Sequence, residues 1–400
     1  MTGYTESGVA VTGSYSPRHL TWTIFVPMAV YSIGSGAAAP MYALRALDLG
    51  ASAGAAGLVV ALTGFGMVLA DLPAGAVVAR IGERGAIGAG SVIGVVGVVA
   101  AICAHAMWLF AIGMVLIGVS GAVWGLARQS YLVAVVPPAH RGRALSLMAG
   151  SSRFGTFCGP FLGAAPVHFF GPDGALWLQL GATVISAAAM MSIGEPEGGR
   201  AVAGGRSLRV VVIENRRALG TLGSGALLTG AARSARLTLL PLWAAHIGVG
   251  AVATSLIFGV AGAVDVLMSY PAGVWIDRVG RRGTGVPAML LFALGYGIVP
   301  LTSSAVALGA AAVVLGIANG LSNGLIMTVG ADAAPLGRRA EFLGAWRLTH
   351  DVGYFVGPIA VGLAGAAALG AAAVTMALAS VAGAETMRRW FPGAPAGAAR

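Results

Sequence analysis

Pro271-Ala272-Gly273-Val274-Trp275-Ile276-Asp277-Arg278-Val279-Gly280-Arg281-Arg282 decides the fold, because the chain carries a version of it twice. A shift of 198 residues lays Pro73-Ala74-Gly75 on Pro271-Ala272-Gly273, Arg80 on Arg278, Gly82 on Gly280 and Arg84-Gly85 on Arg282-Gly283. The register then holds without a gap: Pro137 falls on Pro335, Arg141 on Arg339, Gly155 on Gly353, and Gly159-Pro160 on Gly357-Pro358. Matching glycines alone carry little weight in a chain with 63 of them. Clustered Pro, Arg and Gly matches in one register across residues 73–160 mark an internal duplication.

Around these loops the chain is too apolar for water. Of its 400 residues 57% are hydrophobic and 10% charged, with a mean hydropathy of +0.86, whereas soluble domains carry about 25% charged residues. A hydrocarbon core takes roughly 20 apolar residues per helix. Apolar runs lie near 20–43, 54–79, 86–104, 107–134, 144–169 and 174–194, then near 219–244, 252–276, 285–302, 305–331, 342–366 and 368–389. The runs are continuous and lack the two-residue alternation of membrane barrels, so they read as helices. The expected fold is all-α and integral to the membrane, with twelve transmembrane helices in two pseudo-symmetric six-helix bundles. Residues 1–18 form an N-terminal tail, 19–195 and 218–390 the bundles, 196–217 a polar linker and 391–400 a C-terminal tail. An even number of spans separates the copies, so both point the same way, as in repeats about an axis along the membrane normal.

All 24 basic residues are arginine. Arg80, Arg84, Arg141, Arg143, Arg278, Arg281, Arg282, Arg338, Arg339, Arg388, Arg389 and the linker arginines share one face of a twelve-span chain, and the other face has only Arg45 near a helix end. The positive-inside rule then puts both termini and the linker in the cytoplasm, in a multi-pass protein of the inner (cytoplasmic) membrane. The formal charge of +10 is therefore a topology signal and calls for no nucleic-acid partner. Residues 1–18 lack the basic start and cleavage site of a signal peptide, so the first apolar run reads as a retained helix. Trp22, Trp108, Trp177, Trp243 and Trp390 lie near span ends, where interfacial anchors collect. Cys103 and Cys158 lie in apolar runs and read as small packing residues.

The loop from Gly273 to Arg282 resembles the loop between the second and third helices of each half in the major facilitator superfamily, with its glycine, Asp277-Arg278, Gly280 and basic pair. The first copy, Gly75 to Arg84, keeps Gly75, Arg80 and Gly82 but has Ala79 where the family has an acid. Asp277 is the expected conformational latch, since an acid there can accept hydrogen bonds from a neighbouring helix N-terminus. Gly155, Gly159-Pro160 and the second copy, Gly353, Gly357-Pro358, are similar to the fifth-helix motif of the drug and metabolite:proton antiporters of that superfamily. Small residues there let helices approach closely. The resemblance covers residues 20–390 and implies alternating access by rocking of two halves.

Charges inside spans are costly and mark function by default. Arg153, Arg233, Arg236, Asp265, Arg347, His350 and Asp351 lie well inside, with Asp71 and Arg128 nearer the linker-side ends. On the superfamily's layout all sit on cavity-side helices. Arginine stays protonated, so Asp265, Asp351, His350 and Asp71 are the proton-coupling candidates. Ion pairs of Asp265 with Arg233 or Arg236, and of Asp351 with Arg347, are the structural alternative. Arg128, Arg153, Arg233, Arg236, Arg347, Trp124 and Trp346 are the substrate-cavity candidates, and the surplus of arginines favours an anionic substrate. No phosphate-cradling loop, paired-histidine metal motif or Gly-x-Ser-x-Gly turn is present, so no cofactor, metal or enzymatic activity is expected. The expected function is secondary active transport of a small organic molecule by a monomer in the bilayer, as proton-coupled efflux of a drug or metabolite. Proton-coupled uptake of an organic anion and a non-transporting membrane receptor are the alternatives.

Overall fold

A computed structural model describes residues 20–137, 140–192, 208–335 and 339–393. Twelve membrane-length helices run through the described residues. The first half holds α1 (Thr21–Ala38, bent by 43° into Met41–Asp48), α2 (53–81), α3 (83–102), α4 (Met107–Val135), α5 (Arg141–Phe170) and α6 (Pro172–Met191). The second holds α7 (Arg216–His246), α8 (251–279), α9 (281–298), α10 (Ala305–Leu321, continued by Leu325–Ala333), α11 (Arg339–Gly365) and α12 (Leu369–Trp390). A short helix, Leu208–Glu214, precedes α7.

By length and apolarity alone seven helical runs qualify as spans, or eight with the bent α1. One of these, Ala251–Leu301, holds both α8 and α9. The three helices that fall short are α5, α7 and α11, which are 27–31 residues long and carry Arg153, Arg233, Arg236, Arg347 and Asp351. Five of the charges within spans thus fall on helices short of that apolarity, while Asp71, Arg128 and Asp265 lie on α2, α4 and α8. Large side chains such as Val92, Leu162, Ile185, Leu267 and Leu378 stand more than half exposed on the outer surface, a burden only hydrocarbon relieves.

Backbone geometry repeats with the sequence. Gly82 (φ 75°, ψ 169°) and Gly280 (φ 82°, ψ 174°) turn the chain between α2 and α3 and between α8 and α9, in a region essentially reserved for glycine. Gly50 and Gly248, also 198 apart, end α1 and α7 at positive φ, with paired bonds to Leu47 and Ala46 in one half and to Ala245 and Ala244 in the other. This is the glycine-terminated helix end that satisfies the last carbonyls. A Cβ at Gly155 or Gly159 would strike the Ala29 or Ile33 carbonyl of α1, and one at Gly353 or Gly357 the Leu227 or Ala231 carbonyl of α7. These four contacts superpose under the same shift, so the glycine motif is first a device that presses α5 on α1 and α11 on α7.

The halves meet along α2–α11 and α5–α8 at the face away from the linker. A Cβ on Gly54 would lie 2.9 Å from Ala366, one on Gly57 2.7 Å from the Cα of Gly362, and one on Gly64 2.7 Å from the Cα of Phe355. On the other seam Gly259 lies against the Phe161 ring, and the Ser255 hydroxyl donates to the Pro160 carbonyl at 2.7 Å. Toward the linker face Gly75, Gly142, Gly150, Gly273 and Gly344 of the same four helices each have empty space where a Cβ would stand. The closest contacts between the halves therefore lie on the far face.

Two sequence readings change. Trp243 is buried and donates to the Thr302 hydroxyl at 2.9 Å, so it ties α7 to the end of α9 rather than anchoring at an interface. Cys103 is exposed at the end of α3, not packed inside, while Cys158 is half-buried; both are free thiols. Trp22, Trp108, Trp177 and Trp390 are exposed as interfacial anchors should be.

Candidate functional site

A cavity of about 400 Å³ lies between the halves. It is lined by Ser35, Gly36 and Ala39 of α1; Ser152, Arg153, Thr156, Phe157 and Pro160 of α5; and Arg233, Arg236 and Leu237 of α7. Phe258, Gly262, Asp265 and Val266 of α8, Asn319 and Asn323 of α10, and His350 and Tyr354 of α11 complete it. Helices that fail the apolar test therefore supply much of the wall, because a water-filled cavity is where a membrane protein tolerates charge.

Asp265 does not pair directly with an arginine. Asn319 Nδ2 donates to its Oδ2 at 2.6 Å and Asn323 Nδ2 to its Oδ1 at 2.7 Å, so both carboxylate oxygens are occupied by amides four residues apart on α10. Arg233 Nη2 donates to the Asn323 side-chain carbonyl and, at 3.2 Å, to the Asn319 backbone carbonyl. The expected ion pair of Asp265 with Arg233 or Arg236 is replaced by this relay. Arg236 is left over: its Nε and Nη1 are buried without a partner among the described residues, as is Nε of Arg233. With Arg153 beside them on the lining, three guanidinium groups confront one carboxylate that is already satisfied.

A second cluster adjoins the first. Arg347 Nε donates to Asp351 Oδ2 at 3.3 Å, the intrahelical pair expected from sequence, and His350 Nδ1 lies 3.2 Å from Asp351 Oδ1. Asp71 of α2 keeps a buried Oδ2 with no hydrogen-bond partner among the described residues. His350 belongs to both groups, since it also lines the cavity.

The other cavity candidates are placed elsewhere. Trp124 is fully buried, donates to the Ser91 hydroxyl at 2.7 Å and stacks on Tyr31 with ring centroids 4.3 Å apart. Arg128 lies over the Trp124 ring at 4.4 Å and donates to the Trp124 carbonyl at 3.1 Å, a cation held on aromatic faces within the first half. Trp346 is buried against Phe342 and donates to the Ile326 carbonyl at 2.8 Å, fastening α11 to α10. None of the three lines the cavity, nor does Arg347. Their spacing fixed the helix but not the direction in which each side chain points.

A family profile described as the Major Facilitator Superfamily matches residues 24–358, and again residues 222–399. The chain belongs to the major facilitator superfamily. Among curated protein sequences, none matches it. Solved structures of the same fold include the nucleoside transporter NupG, with TM-score 0.79 at 12% identity, covering 93% of this chain and 100% of that one. A POT family transporter in complex with a thioalcohol-conjugated peptide has TM-score 0.75 at 13% identity over 94% and 96% of the two chains. A D-xylose–proton symporter has TM-score 0.72 at 13% identity over 94% and 98%.

Within the superfamily frame the two inter-helix loops do different things. In the first, the Ser130 hydroxyl donates to Glu83 at 2.9 Å and Arg84 donates to the Met191 carbonyl at 2.5 Å, tying the loop to its own half. In the second, Arg281 pairs with Asp332 at 2.8 Å and the backbone N–H of Arg282 donates to the Pro392 carbonyl at 3.1 Å. Asp277, the expected latch, is exposed and has no hydrogen bond or ion pair among the described residues. Arg338 lies outside the described residues.

Proposed function

We propose that this superfamily member is a secondary active transporter that moves a small organic anion by alternating access, coupled to protons, in the direction of export. The observation that carries the anion is the set of unpartnered donors on Arg233 and Arg236 in a cavity that also holds Arg153. A buried, unpaired charged donor is costly, and a carboxylate, sulfonate or phosphate group supplies the missing acceptors in the bidentate geometry arginine favours. Phe157, Phe258, Leu237 and Tyr354 give the same cavity an apolar wall for the body of the ligand. The cavity volume fits a molecule of drug or metabolite size.

The rocking bodies are the bundles 19–195 and 218–390, with linker 196–217 between them. On the positive-inside rule the arginine-rich face is cytoplasmic, and the reading has a monomer take up cytoplasmic solute from that face. Export rests on the Gly155-to-Pro160 motif and its resemblance to the antiporter branch. Proton coupling rests on the buried acids and on its occurrence in a symporter of this fold. The test is flux in vesicles under an imposed pH gradient, with carboxylated compounds run beside their neutral amides. Carboxylates should leave the linker side as the opposite side is acidified. Equal carriage of amides, or flux indifferent to the gradient, removes the corresponding part of the reading.

A further inference from the structure

The 198-residue shift lays α4 on α10 from end to end, Met107–Val135 on Ala305–Ala333. α4 is one unbroken helix. α10 is not: it stops at Leu321, turns through Gly324 at φ 79° and restarts as Leu325–Ala333. Gly121, Gly125 and Leu126 of α4 stand where α10 has Asn319, Asn323 and Gly324, so the break is no part of the duplicated scaffold. Unwound backbone inside a span is tolerated only where protein or a water-filled cavity receives its polar groups. Here the receiver is Arg233 of α7. The Asn319 backbone carbonyl accepts from the Ser322 hydroxyl at 2.8 Å and from Arg233 Nη2 at 3.2 Å, and the same Nη2 donates to the Asn323 side-chain carbonyl. The Asn323 amide nitrogen donates in turn to Asp265 at 2.7 Å and to the Ser269 hydroxyl at 2.9 Å, which fixes the break against α8.

A guanidinium carries its N–H donors in a rigid planar fork. Arg233 Nη2 makes two bonds to α10, one for each of its hydrogens, while Nε, which shares an edge of the fork with Nη2, is buried without a partner among the described residues. An oxyanion that grips this edge with two oxygens, as arginine holds carboxylates and phosphates, must take one of those hydrogens from α10. We propose that Arg233 is a shared cation, held by the α10 break when the cavity is empty and yielded in part to a bound oxyanion, with Asn323 the positioning residue that passes the change on to Leu325–Ala333. That segment runs to the linker face. Its Ile326 carbonyl accepts from Trp346 of α11 at 2.8 Å, a Cβ on its Gly330 would lie 2.5 Å from the Trp346 ring, and its Asp332 pairs with Arg281 at the head of α9 at 2.8 Å. Side-chain bonds at either end of one short helix thus link the cavity to the α8–α9 loop. Ser35, Gly125 and Ala134 occupy the places of Arg233, Asn323 and Asp332 in the first half, so only the second half has this linkage.

The proposal rests on the anion reading for its ligand, but the joint between Arg233 and α10 can be read without one. With the full chain labelled with fluorotryptophan in lipid nanodiscs, Trp346 is the one fluorine resonance of eight that Trp346→Phe removes. In the empty protein Arg233→Met and Asn323→Leu should each displace that resonance, and Asn323→Gln, which keeps the amide, should bring it back toward the wild-type position. Arg236→Met should leave it in place. Benzoate should displace it in the wild type in the same direction as Asn323→Leu does, and benzamide should not; in Asn323→Leu the response to benzoate should be largely lost. A resonance that Arg233→Met leaves unmoved overturns the joint. Benzoate that protects the wild type against melting without moving Trp346, or that moves it as far in Asn323→Leu, overturns the role of Asn323. If neither benzoate nor inorganic phosphate binds while Arg233→Met still displaces the resonance, the joint stands and the anion reading falls.

Discussion

Arg236→Met should make the empty protein more stable and less able to bind an anion. In the structure Nε and Nη1 of Arg236 are buried without acceptors. Each unsatisfied buried donor costs about 1–3 kcal/mol, more when it is charged. An apolar side chain of similar length removes that cost. A gain of about 2 kcal/mol in the unliganded state is therefore the expected scale. On the binding side, a hydrogen bond to a charged group contributes about 1.5–3 kcal/mol, which converts to an affinity loss of roughly 10- to 150-fold for each one removed. The assay is thermal unfolding of detergent-solubilised protein followed by tryptophan fluorescence, with and without aromatic carboxylates and inorganic phosphate. The wild type should be stabilised by an anion that leaves the variant's melting temperature unchanged. An Arg236→Met protein that melts earlier when empty, or one that anions stabilise as much as the wild type, would refute the reasoning.

Three further outcomes follow from the packing. Gly353→Ala places a methyl group into the Leu227 carbonyl of α7, and overpacking of this kind costs about 1–3 kcal/mol; Gly344→Ala, in open space, should be neutral in the same melt. Gly280→Ala forces a Cβ into a backbone region costing about 1–3 kcal/mol, which should lower thermal stability and loosen the Arg281–Asp332 pair, read as faster amide exchange at the start of α9. A Gly54→Cys/Ala366→Cys pair, with Cys103 and Cys158 replaced, spans the closed far seam. Oxidation should arrest flux and reduction restore it; flux that continues through the oxidised protein would mean this seam need not open.

What could be read from sequence and what could not divide along physical lines. Span number follows from apolar runs read together with their charge and turn breaks, and the duplicated scaffold follows from residues whose roles are set by backbone geometry. Gly82 with Gly280, and Gly155 with Gly353, keep their spacing because a turn or a close helix approach depends on local chain position. The buried charges were visible because each one interrupts an apolar run. Asn319 and Asn323 carry no formal charge and so do not stand out among the buried ions of the spans; their four-residue spacing on one face of a span was the available signal. Side-chain pairing was legible only within a helix, as for Arg347 and Asp351. Between helices it depends on rotation and crossing angle, which is why Asp265 meets α10 amides rather than an α7 arginine, and why Trp124 and Trp346 face packing partners.

Gly54, Gly57 and Gly362 make the far seam a contact of main chain on main chain. A joint of that kind has almost no rotamers to set. Parting it strands no long side chain in a new environment, and remaking it requires none to find its slot again. The α2–α11 part of the far seam can therefore be tight without fixing any long side chain in one rotamer. In the proposed cycle selectivity is then exercised deeper, by the guanidinium groups a solute meets before that seam parts.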